Sequence, residues 1–306
     1  MGVARKLASY AKNPRLLGSA VAFIAWAVLQ RALRQPRTCP HCGSSRTTAL
    51  GRRLLVLTLM RCEECLLKFR YPKQEEGWSE WFYQQRTDTS GDDLPDVQVV
   101  RSLMNNRFAG TNYDACRLTA LLTTFNRGRL LDYGCSWGYG VRQFRDAGYD
   151  AVGFEISKPK AALGALELGV EIITDHAKLE SFSSSSFNFV VASHVLEHLP
   201  QIDRTLRLFS RLLRQGGKLV VLVPNSGCRF AQEWRGVWPY MISREHNLAL
   251  DAAWFQRNIG HYGFNPLFSS AKVGKAFSSA VAPYDGDTPE FLWLPDEELL
   301  MVATRE

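Results

Sequence analysis

Four cysteines in the first quarter of the chain have the spacing of a metal site. Cys39 and Cys42 form one C-x2-C pair, and Cys62 and Cys65 form a second pair after nineteen intervening residues. Two residues between cysteines allow a tight turn to direct both thiolates toward one ion, and two such pairs complete a tetrahedral site with no open position. The pattern predicts a zinc ribbon with a structural Zn2+, although iron also accepts four thiolates. The apolar segment 54–60 (LLVLTLM) is expected to be the strand that joins the pairs.

A second group of chemically capable residues lies in a glycine-rich loop. In LDYGCSWGYG (131–140), Asp132 precedes Gly134, Cys135 and Gly138 at the point where a short apolar run gives way to a helical pattern. Glycines in a strand-to-helix turn let the backbone approach a ligand closely. The spacing G-x3-G differs from the dinucleotide-binding pattern G-x-G-x-x-G, so this loop is not that fingerprint.

Two more acidic residues end later strand patterns. Glu155 in VGFEIS lies twenty-three residues after Asp132, at the end of the second strand pattern, and Asp175 ends IITD. A carboxylate in the position of Glu155 can accept hydrogen bonds from both hydroxyls of a ribose. The sequence therefore indicates a nucleoside-type ligand at the ends of successive strands.

The elements that must position these residues begin at Gly128. Strand patterns end in RLLDYG, DAVGFEIS, VEIITD, FNFVVASHV and GKLVVLVPN, and helical patterns separate them. Such alternation implies an α/β fold in which a parallel sheet carries helices on both faces and ligands bind beyond the carboxyl ends of the strands. The preceding stretch, 73–127, is expected to be a helical connector that either covers the pocket or simply packs.

The front of the chain is basic and contains an apolar segment. Residues 1–70 carry thirteen Lys and Arg against two acidic residues, and residues 16–30 (LLGSAVAFIAWAVLQ) carry no charge. This segment is a helix that packs on the protein, lies in a membrane surface, or spans a bilayer, and its apolar run is short for a span. The positive charge favours an anionic partner, either a lipid surface or nucleic acid.

Composition excludes several classes of protein. The 306 residues are 46% apolar and 22% charged, which argues against a collagen-like, low-complexity or disordered chain. Seven cysteines in 306 residues are far below the cysteine density of a disulfide-stapled scaffold. A folded chain with a large core is expected, located in the cytoplasm and associated with a membrane if residues 16–30 reach one.

Taken in order, the motifs resemble the class I S-adenosylmethionine-dependent methyltransferases. LDYGCSWGYG is similar to the family's LDxGCGxG, ASHVLEHL to hvLeHl, and LLRQGGKLVVLVPN to LkPGGxLxxxxPN, while EELLMVATR resembles the antiparallel seventh strand that ends this fold. The resemblance implies a Rossmann-like seven-stranded methyltransferase sheet over 128–306 that uses S-adenosylmethionine. A basic and apolar helix (1–37), the zinc ribbon (38–72) and the connector (73–127) would precede it.

The resemblance also implies a role for each residue that matches a motif. The cofactor-binding set would be Asp132, Gly134, Cys135 and Gly138 at the methionine end, Glu155 at the ribose, Ile156, Asp175 and His176 at the adenine, and His194 under the sulfonium. Ser136 departs from the family's pattern, which has glycine at that position. This departure concerns the conformation of the loop more than the use of the cofactor.

Methyl transfer from a sulfonium is an in-line displacement, and the acceptor can require a base to take its proton. His198 in HVLEH and His246 in SREHNL are the candidate catalytic residues, with capping or packing as the alternative for each, and Glu197 and Glu245 rank behind them. Trp234, Trp238 and Tyr240 either wall an acceptor pocket or pack.

Three functions remain open at this stage. The first is methyl transfer to a small-molecule acceptor, most readily an oxygen of a saccharide, a lipid-linked glycan or a natural-product intermediate. The second is methylation of RNA held by the ribbon and the basic front. The third is a non-catalytic scaffold, which would bind no cofactor.

Overall fold

A helix and a small antiparallel sheet form the front of the molecule. The computed structural model describes residues 14–74, 94–234, 243–277, 281–284 and 286–306. Helix α1 spans Pro14–Ala32, and strands β1 (Thr47–Arg53), β2 (Leu57–Cys62) and β3 (Lys68–Tyr71) pair antiparallel in that order. The expectation of one strand over 54–60 is wrong: the chain turns at residues 54–56, because β2 pairs with β1 through a tight hairpin.

The connector contains helices α2 (Val97–Asn105) and α3 (Cys116–Leu122). Asp96 begins α2 by accepting a hydrogen bond from the backbone of Gln98, as N-cap residues do. The apolar faces of both helices pack in one cluster with Trp137 of the glycine-rich loop. The connector therefore lies against the predicted cofactor loop, while its aromatic residues Trp78, Trp81, Phe82 and Tyr83 fall outside the described residues.

Seven strands form the main sheet, in the spatial order β10-β11-β8-β7-β4-β5-β6. Their bounds are β4 Arg129–Tyr133, β5 Asp150–Phe154, β6 Ile172–Ile173, β7 Phe187–Ser193, β8 Leu213–Pro224, β10 Phe264–Ala271 and β11 Glu298–Arg305. Strand β11 runs antiparallel between β8 and β10, and the pairs from β8 to β6 are parallel. The α/β fold and its antiparallel last strand are thus confirmed.

Helices connect the parallel strands and cover the sheet. They are α4 Tyr139–Asp146, α5 Lys158–Leu163, α6 His176–Glu180, α7 Ile202–Leu212, α8 Arg229–Trp234, α9 Ala252–Asn258 and α10 Glu290–Trp293. Among the described residues, no helix is long and apolar enough to cross a membrane.

The ribbon and the methyltransferase half share one sheet and one core. Strand β9 (Leu248–Ala249) pairs with β3 and so adds a fourth strand to the ribbon sheet. The Lys68 ammonium on β3 forms an ion pair of 2.5 Å with Asp251, the N-cap of α9. Cys39, Cys62 and Cys65 also belong to the same apolar cluster as strands of the main sheet. The ribbon is consequently built into the body of the protein.

Candidate functional site

The four ribbon cysteines converge. The Sγ atoms of Cys39 and Cys65 lie 3.5 Å apart, as do those of Cys42 and Cys62, and all four lie within 4.8 Å of one another. Tetrahedral zinc with Zn–S bonds of about 2.3 Å requires S···S distances of about 3.8 Å, so the cluster is compatible with zinc. Contact with Cys39 and burial raise the pKa of the Cys65 thiol to about 11, so a cation is needed to make it a thiolate.

His41, inside the first cysteine pair, contacts both the cysteine cluster and the α/β part of the chain, and its side chain opposes the rise in the pKa of Cys65. Its Nε2 lies 2.9 Å from the Tyr262 hydroxyl, and its ring packs edge-on to Trp254. The Tyr262 hydroxyl donates in turn to Asp203 on α7. His41 therefore ties the ribbon to two helices of the methyltransferase half.

The glycine-rich loop follows β4 and is shaped by steric limits. Gly134 and Gly138 both have φ of +79°, and a Cβ on Gly134 would approach Val195 to 2.4 Å, while one on Gly138 would approach Val170 to 2.7 Å. The backbone N–H groups of Gly134 and Cys135 both donate to the Phe154 carbonyl, and Gly138 begins α4. Backbone conformation and the close approach of Val195 and Val170 therefore require glycine at both positions.

Ser136 adopts the left-handed conformation that the family's glycine would favour. Its φ is +53°, and its backbone N–H donates to Glu155 Oε2 over 3.1 Å. The second oxygen of Glu155 accepts from the Ser157 backbone over 2.8 Å. The departure from glycine therefore leaves the loop in place, with a serine in a strained backbone region.

Asp132 and Glu155 lie at the carboxyl ends of adjacent strands. Asp132 is buried, and this burial together with the charge of Glu155 raises the pKa of Asp132 to about 7. Only a glycine fits at position 140, where a Cβ would come within 2.7 Å of Asp132 Oδ2. The buried Cys135 thiol reaches the β5 backbone so closely that a Cβ on Gly153 would meet its Sγ at 2.4 Å. Two neighbouring carboxylates in this pocket suit a ligand with an ammonium group and hydroxyl donors.

The residues expected at the adenine follow β5 and β6. Ile156 is half-buried and packs on the main core, and the His176 ring lies 4.8 Å from the ring of Phe154. Asp175 is the N-cap of α6, where its Oδ1 accepts from the Ala177 backbone over 2.8 Å. Asp175 therefore has a structural task besides any contact with a ligand.

His194 follows β7 and bridges two carboxylates. Its Nε2 lies 3.1 Å from Glu298 Oε1, and its Nδ1 lies 3.5 Å from Glu197 Oε1. Burial alone would lower the pKa of His194, but the two glutamates raise it to about 9. Arg117 on α3 holds Glu298 from the other side at 2.7 Å. An alternating row of charges therefore links the connector to the end of β7.

The two candidate catalytic histidines meet beside Glu197. The rings of His198 and His246 lie 4.8 Å apart at a right angle, and His198 Nε2 is 3.9 Å from Glu197 Oε1. His198 Nδ1 lies 3.2 Å from the Glu245 carbonyl. Because a carbonyl only accepts, His198 Nδ1 donates this hydrogen bond, so Nε2 is the nitrogen that holds the lone pair whenever the ring is neutral.

Glu197 is the centre of this histidine cluster, which we define as Glu197, His194, His198 and His246. Glu197 is 1% exposed. Burial would raise its pKa, but the surrounding histidines lower it to about 2. Donor atoms of Glu197, His198 and His246 lie within 4.8 Å of one another, so this set resembles a cation site in its residue types. His194, the cationic partner of Glu197, already supplies positive charge to this set of residues.

Arg70 on β3 holds the segment that carries His246. The guanidinium is 1% exposed and donates to the carbonyls of Ser243 and Arg244 over 2.7 and 2.9 Å, and the Arg70 backbone donates to Asn247. Asn247 donates to the carbonyls of Glu197 and His198. The zinc ribbon thus fixes one wall of the histidine cluster.

Sequence reasoning placed Glu197 among the weaker candidates and missed Arg70, Arg117 and Glu298. Glu197 had a local signal, since it lies in the same short motif as two histidines. The other three had none, because each acts on a residue more than a hundred positions away along the chain. Of the predicted pocket aromatics, Trp234 is exposed, while Trp238 and Tyr240 lie outside the described residues.

Comparison with known proteins identifies the family. The chain belongs to the methyltransferase-domain family, which matches residues 106–269. The paired carboxylates described above fit the S-adenosylmethionine that the sequence motifs predict.

Two curated relatives show the range within the family. A sterol 4-C-methyltransferase of Caenorhabditis elegans is 26% identical over 113 residues, which is 35% of this chain and 34% of the relative. A ubiquinone biosynthesis O-methyltransferase of Aeromonas salmonicida is 30% identical over 103 residues, 32% of this chain and 43% of the relative. The chain thus spans less than half the length of these relatives.

A solved structure is similar over most of its length. It is an S-adenosylmethionine-dependent methyltransferase from Thermotoga maritima, titled as a possible histamine N-methyltransferase. It is 16% identical, covers 68% of this chain and 95% of its own, and has a TM-score of 0.49.

Proposed function

We propose that the chain transfers a methyl group from S-adenosylmethionine to an oxygen of a small-molecule acceptor, namely a saccharide, a lipid-linked glycan or a natural-product intermediate. The observation that carries this proposal is the histidine cluster around the buried Glu197. A hydroxyl must lose its proton during transfer, and this cluster presents imidazole nitrogens where the strands end. A structural Zn2+ in the four-cysteine site completes the proposal.

The chain's own residues would hold the cofactor by complementary charge and shape. Bound S-adenosylmethionine supplies a methyl group on a cationic sulfur. Asp132 would bind its ammonium group, and Glu155 its ribose hydroxyls, because these two carboxylates lie at adjacent strand ends. A neighbouring cation would stabilise Asp132 in its charged form, which burial disfavours. Ile156, Asp175 and His176 would border the adenine.

His198 and His246 would act on the acceptor. The hydroxyl oxygen attacks the methyl carbon as the carbon–sulfur bond breaks, and its proton passes to an imidazole nitrogen. His198 Nε2 suits this task because the Glu245 carbonyl fixes its tautomer. The nearby Glu197 carboxylate then stabilises the imidazolium that forms.

A small-molecule acceptor has support from the relatives. Their names specify a sterol and the biosynthesis of ubiquinone, which are small molecules rather than nucleic acids. The acceptor hydroxyl of this chain is accordingly sought first among saccharides and lipid extracts, with RNA as the contrasting substrate.

Cofactor binding is tested by calorimetric titration of S-adenosylhomocysteine into the zinc-loaded protein. Micromolar affinity is expected, and Glu155→Ala should weaken it at least about tenfold, because both ribose hydroxyls lose a charged acceptor. Glu171→Gln, an exposed acid at the start of the next strand, is the matched control and should bind normally. Folded protein that binds no S-adenosylhomocysteine would support the scaffold and end the enzyme proposal.

Acceptor class is tested by incubation with methyl-labelled S-adenosylmethionine and, separately, saccharides, total lipid extract and RNA. Label is expected in a saccharide or lipid fraction. His198→Gln and His246→Gln should lower transfer about 100-fold while S-adenosylhomocysteine affinity persists. The exposed His261→Gln is the control. Label in RNA alone would replace this acceptor by nucleic acid, and unchanged rates in both variants would exclude the two histidines as bases.

A further inference from the structure

Two leucines at the tip of the ribbon hairpin are held outward by an unfavourable backbone conformation. Leu54 and Leu55 have φ of +52° and +60°, and their side chains are 63% and 88% exposed. Bulky residues rarely adopt left-handed backbone, and hairpin turns that need it usually contain Asn and Gly. Neither packing nor turn geometry explains leucine at these two positions. A binding partner outside the chain would explain them.

Helix α1 exposes an equally apolar face. Phe23 and Ala27 pack against β2 through Leu57 and Leu59, so this side of the helix is covered along the ribbon. The opposite side presents large apolar side chains to solvent: Val21, Ile24, Val28 and Leu29. Because α1 packs along its length on the ribbon, its axis lies parallel to the protein surface. Only its outer side can contact a partner.

These two elements adjoin. Arg31, at the end of α1, donates from Nε to the Val56 carbonyl over 2.8 Å and from its guanidinium to the Thr58 hydroxyl. The hairpin tip therefore lies beside the carboxyl end of α1, next to the exposed Leu33.

Helix α8 packs in the same apolar cluster as α1 and carries exposed aromatic side chains. Its Ala231 packs in the same cluster as Phe23 and Ala27. On the outer side of α8, Phe230 and Trp234 stack with ring centres 5.4 Å apart and remain exposed. Tryptophan and phenylalanine are side chains that favour the membrane–water interface.

The apolar surface is surrounded by positive charge. Arg34 and Arg37 follow α1 and are exposed, and Arg52 is exposed next to the hairpin tip. The first seventy residues carry thirteen basic against two acidic residues. A second copy of this face would meet like charge, whereas anionic lipid headgroups complement it.

We propose that this surface docks on an anionic lipid bilayer, with α1 in the membrane plane and the hairpin tip inserted. We call it the front face, and it consists of Val21, Ile24, Val28, Leu29, Leu33, Leu54, Leu55, Phe230 and Trp234 with the arginines Arg34, Arg37 and Arg52. Insertion of the two leucines offsets the unfavourable turn, so the chain trades folding stability for membrane affinity. This inference does not depend on the acceptor or on catalysis.

The test is cosedimentation of the full chain with vesicles of phosphatidylcholine alone or with 30% phosphatidylglycerol, without cofactor or acceptor. Wild-type protein should bind the anionic vesicles, and added salt should weaken binding without abolishing it. The double variant Leu54→Asn/Leu55→Gly should lose at least about tenfold in binding, because two apolar side chains are removed. It should also unfold at a higher temperature, because the turn loses its strain.

The matched control is Leu166→Ser, which changes a leucine that is 79% exposed on the helical segment after α5. It should bind vesicles as the wild type does. The proposal is overturned if wild-type protein ignores anionic vesicles, if the double variant binds them normally, or if light scattering shows a dimer that the double variant dissociates. Opposite shifts of binding and thermal stability in one variant would distinguish membrane insertion from a structural role.

Discussion

The strand ends proposed to hold the cofactor (the cofactor edge) and the histidine cluster proposed to face the acceptor (the acceptor edge) are assembled in different ways. The cofactor edge comes from elements that follow one another in the chain, namely β4, the glycine-rich loop, α4 and the end of β5. They provide Asp132, Glu155 and the two glycines with positive φ, Gly134 and Gly138. The acceptor edge joins His198 and His246, and Arg70 of the zinc ribbon braces the segment that carries His246. Local geometry therefore controls the first edge, and long-range packing controls the second.

The largest effect is expected at the cofactor edge, from Gly134→Ala. The new Cβ would adopt an unfavourable φ of +79° and would meet Val195 at 2.4 Å. The free energy of unfolding should fall by about 3 kcal/mol, and S-adenosylhomocysteine affinity should fall about 100-fold, because the loop must move. Chemical denaturation and calorimetry measure the two changes.

Gly169→Ala is the control for that substitution, because Gly169 also has positive φ but a Cβ there meets nothing within 4 Å. It should cost about 1 kcal/mol of stability and leave cofactor affinity unchanged. Equal effects of the two substitutions would mean that backbone strain alone, without the contact to Val195, explains the role of Gly134.

Arg70→Met tests whether the ribbon supports the acceptor edge alone. Loss of the guanidinium removes one donor from each of the partly buried carbonyls of Ser243 and Arg244, at a cost of about 1 kcal/mol. Hydrogen exchange should accelerate over residues 243–249, and the NMR resonance of the His246 ring should shift. Affinity for S-adenosylhomocysteine should stay within about twofold, since the hydrogen bonds described for Arg70 go to Pro72 and to residues 243–247 rather than to the cofactor loop.

Arg70→Lys keeps the charge and one donor, and should restore part of the protection of residues 243–249. If Arg70→Met lowers the affinity for S-adenosylhomocysteine as strongly as it lowers the hydrogen-exchange protection of residues 243–249, the two edges form one cooperative unit. Removal of zinc should act in the same direction as Arg70→Met, because the ribbon cysteines and the strand that carries Arg70 share a core.

The same contrast explains how much the sequence could predict. The alternation of strands and helices, the antiparallel last strand and the four-cysteine cluster follow from motifs within short stretches, and the structure confirms them. The interaction of Arg70 with Ser243 spans 173 positions, and no local pattern marks either partner. The hairpin turn at Leu54 was missed because the apolar run of residues 54–60 predicts a buried strand, and only pairing with β1 reveals the turn.

A smaller effect concerns the charge row between the two edges. The pKa of His194 is raised to about 9 by Glu197 and Glu298, against about 6.5 in an unfolded chain. The folded protein therefore binds the proton more tightly, and this stabilisation is complete below about pH 6.5 and is lost as the pH rises through 9. Because the ring is half-exposed, about 1 kcal/mol of unfolding free energy should be lost over that interval.

Urea denaturation at several pH values measures this loss, and His194→Asn should remove it, since asparagine tolerates the φ of +54° at this position. His176→Asn, at an exposed histidine of α6, should keep the slope of the wild type. A wild-type stability that is flat between pH 6.5 and 9 would contradict the ion pairs of His194.

The smallest effect is expected from Ser136→Gly, which restores the residue that related sequences have in this loop. Ser136 has φ of +53°, and glycine relieves that strain but loses more entropy on folding, so a net gain of about 0.5 kcal/mol is expected. Ser157→Gly is the matched control, because Ser157 also donates its backbone N–H to Glu155 but has an ordinary φ of −75°. It should lose about 1 kcal/mol. Opposite signs in thermal denaturation, with cofactor affinity retained in both, would show that backbone conformation rather than side-chain chemistry selects the residues of the cofactor edge.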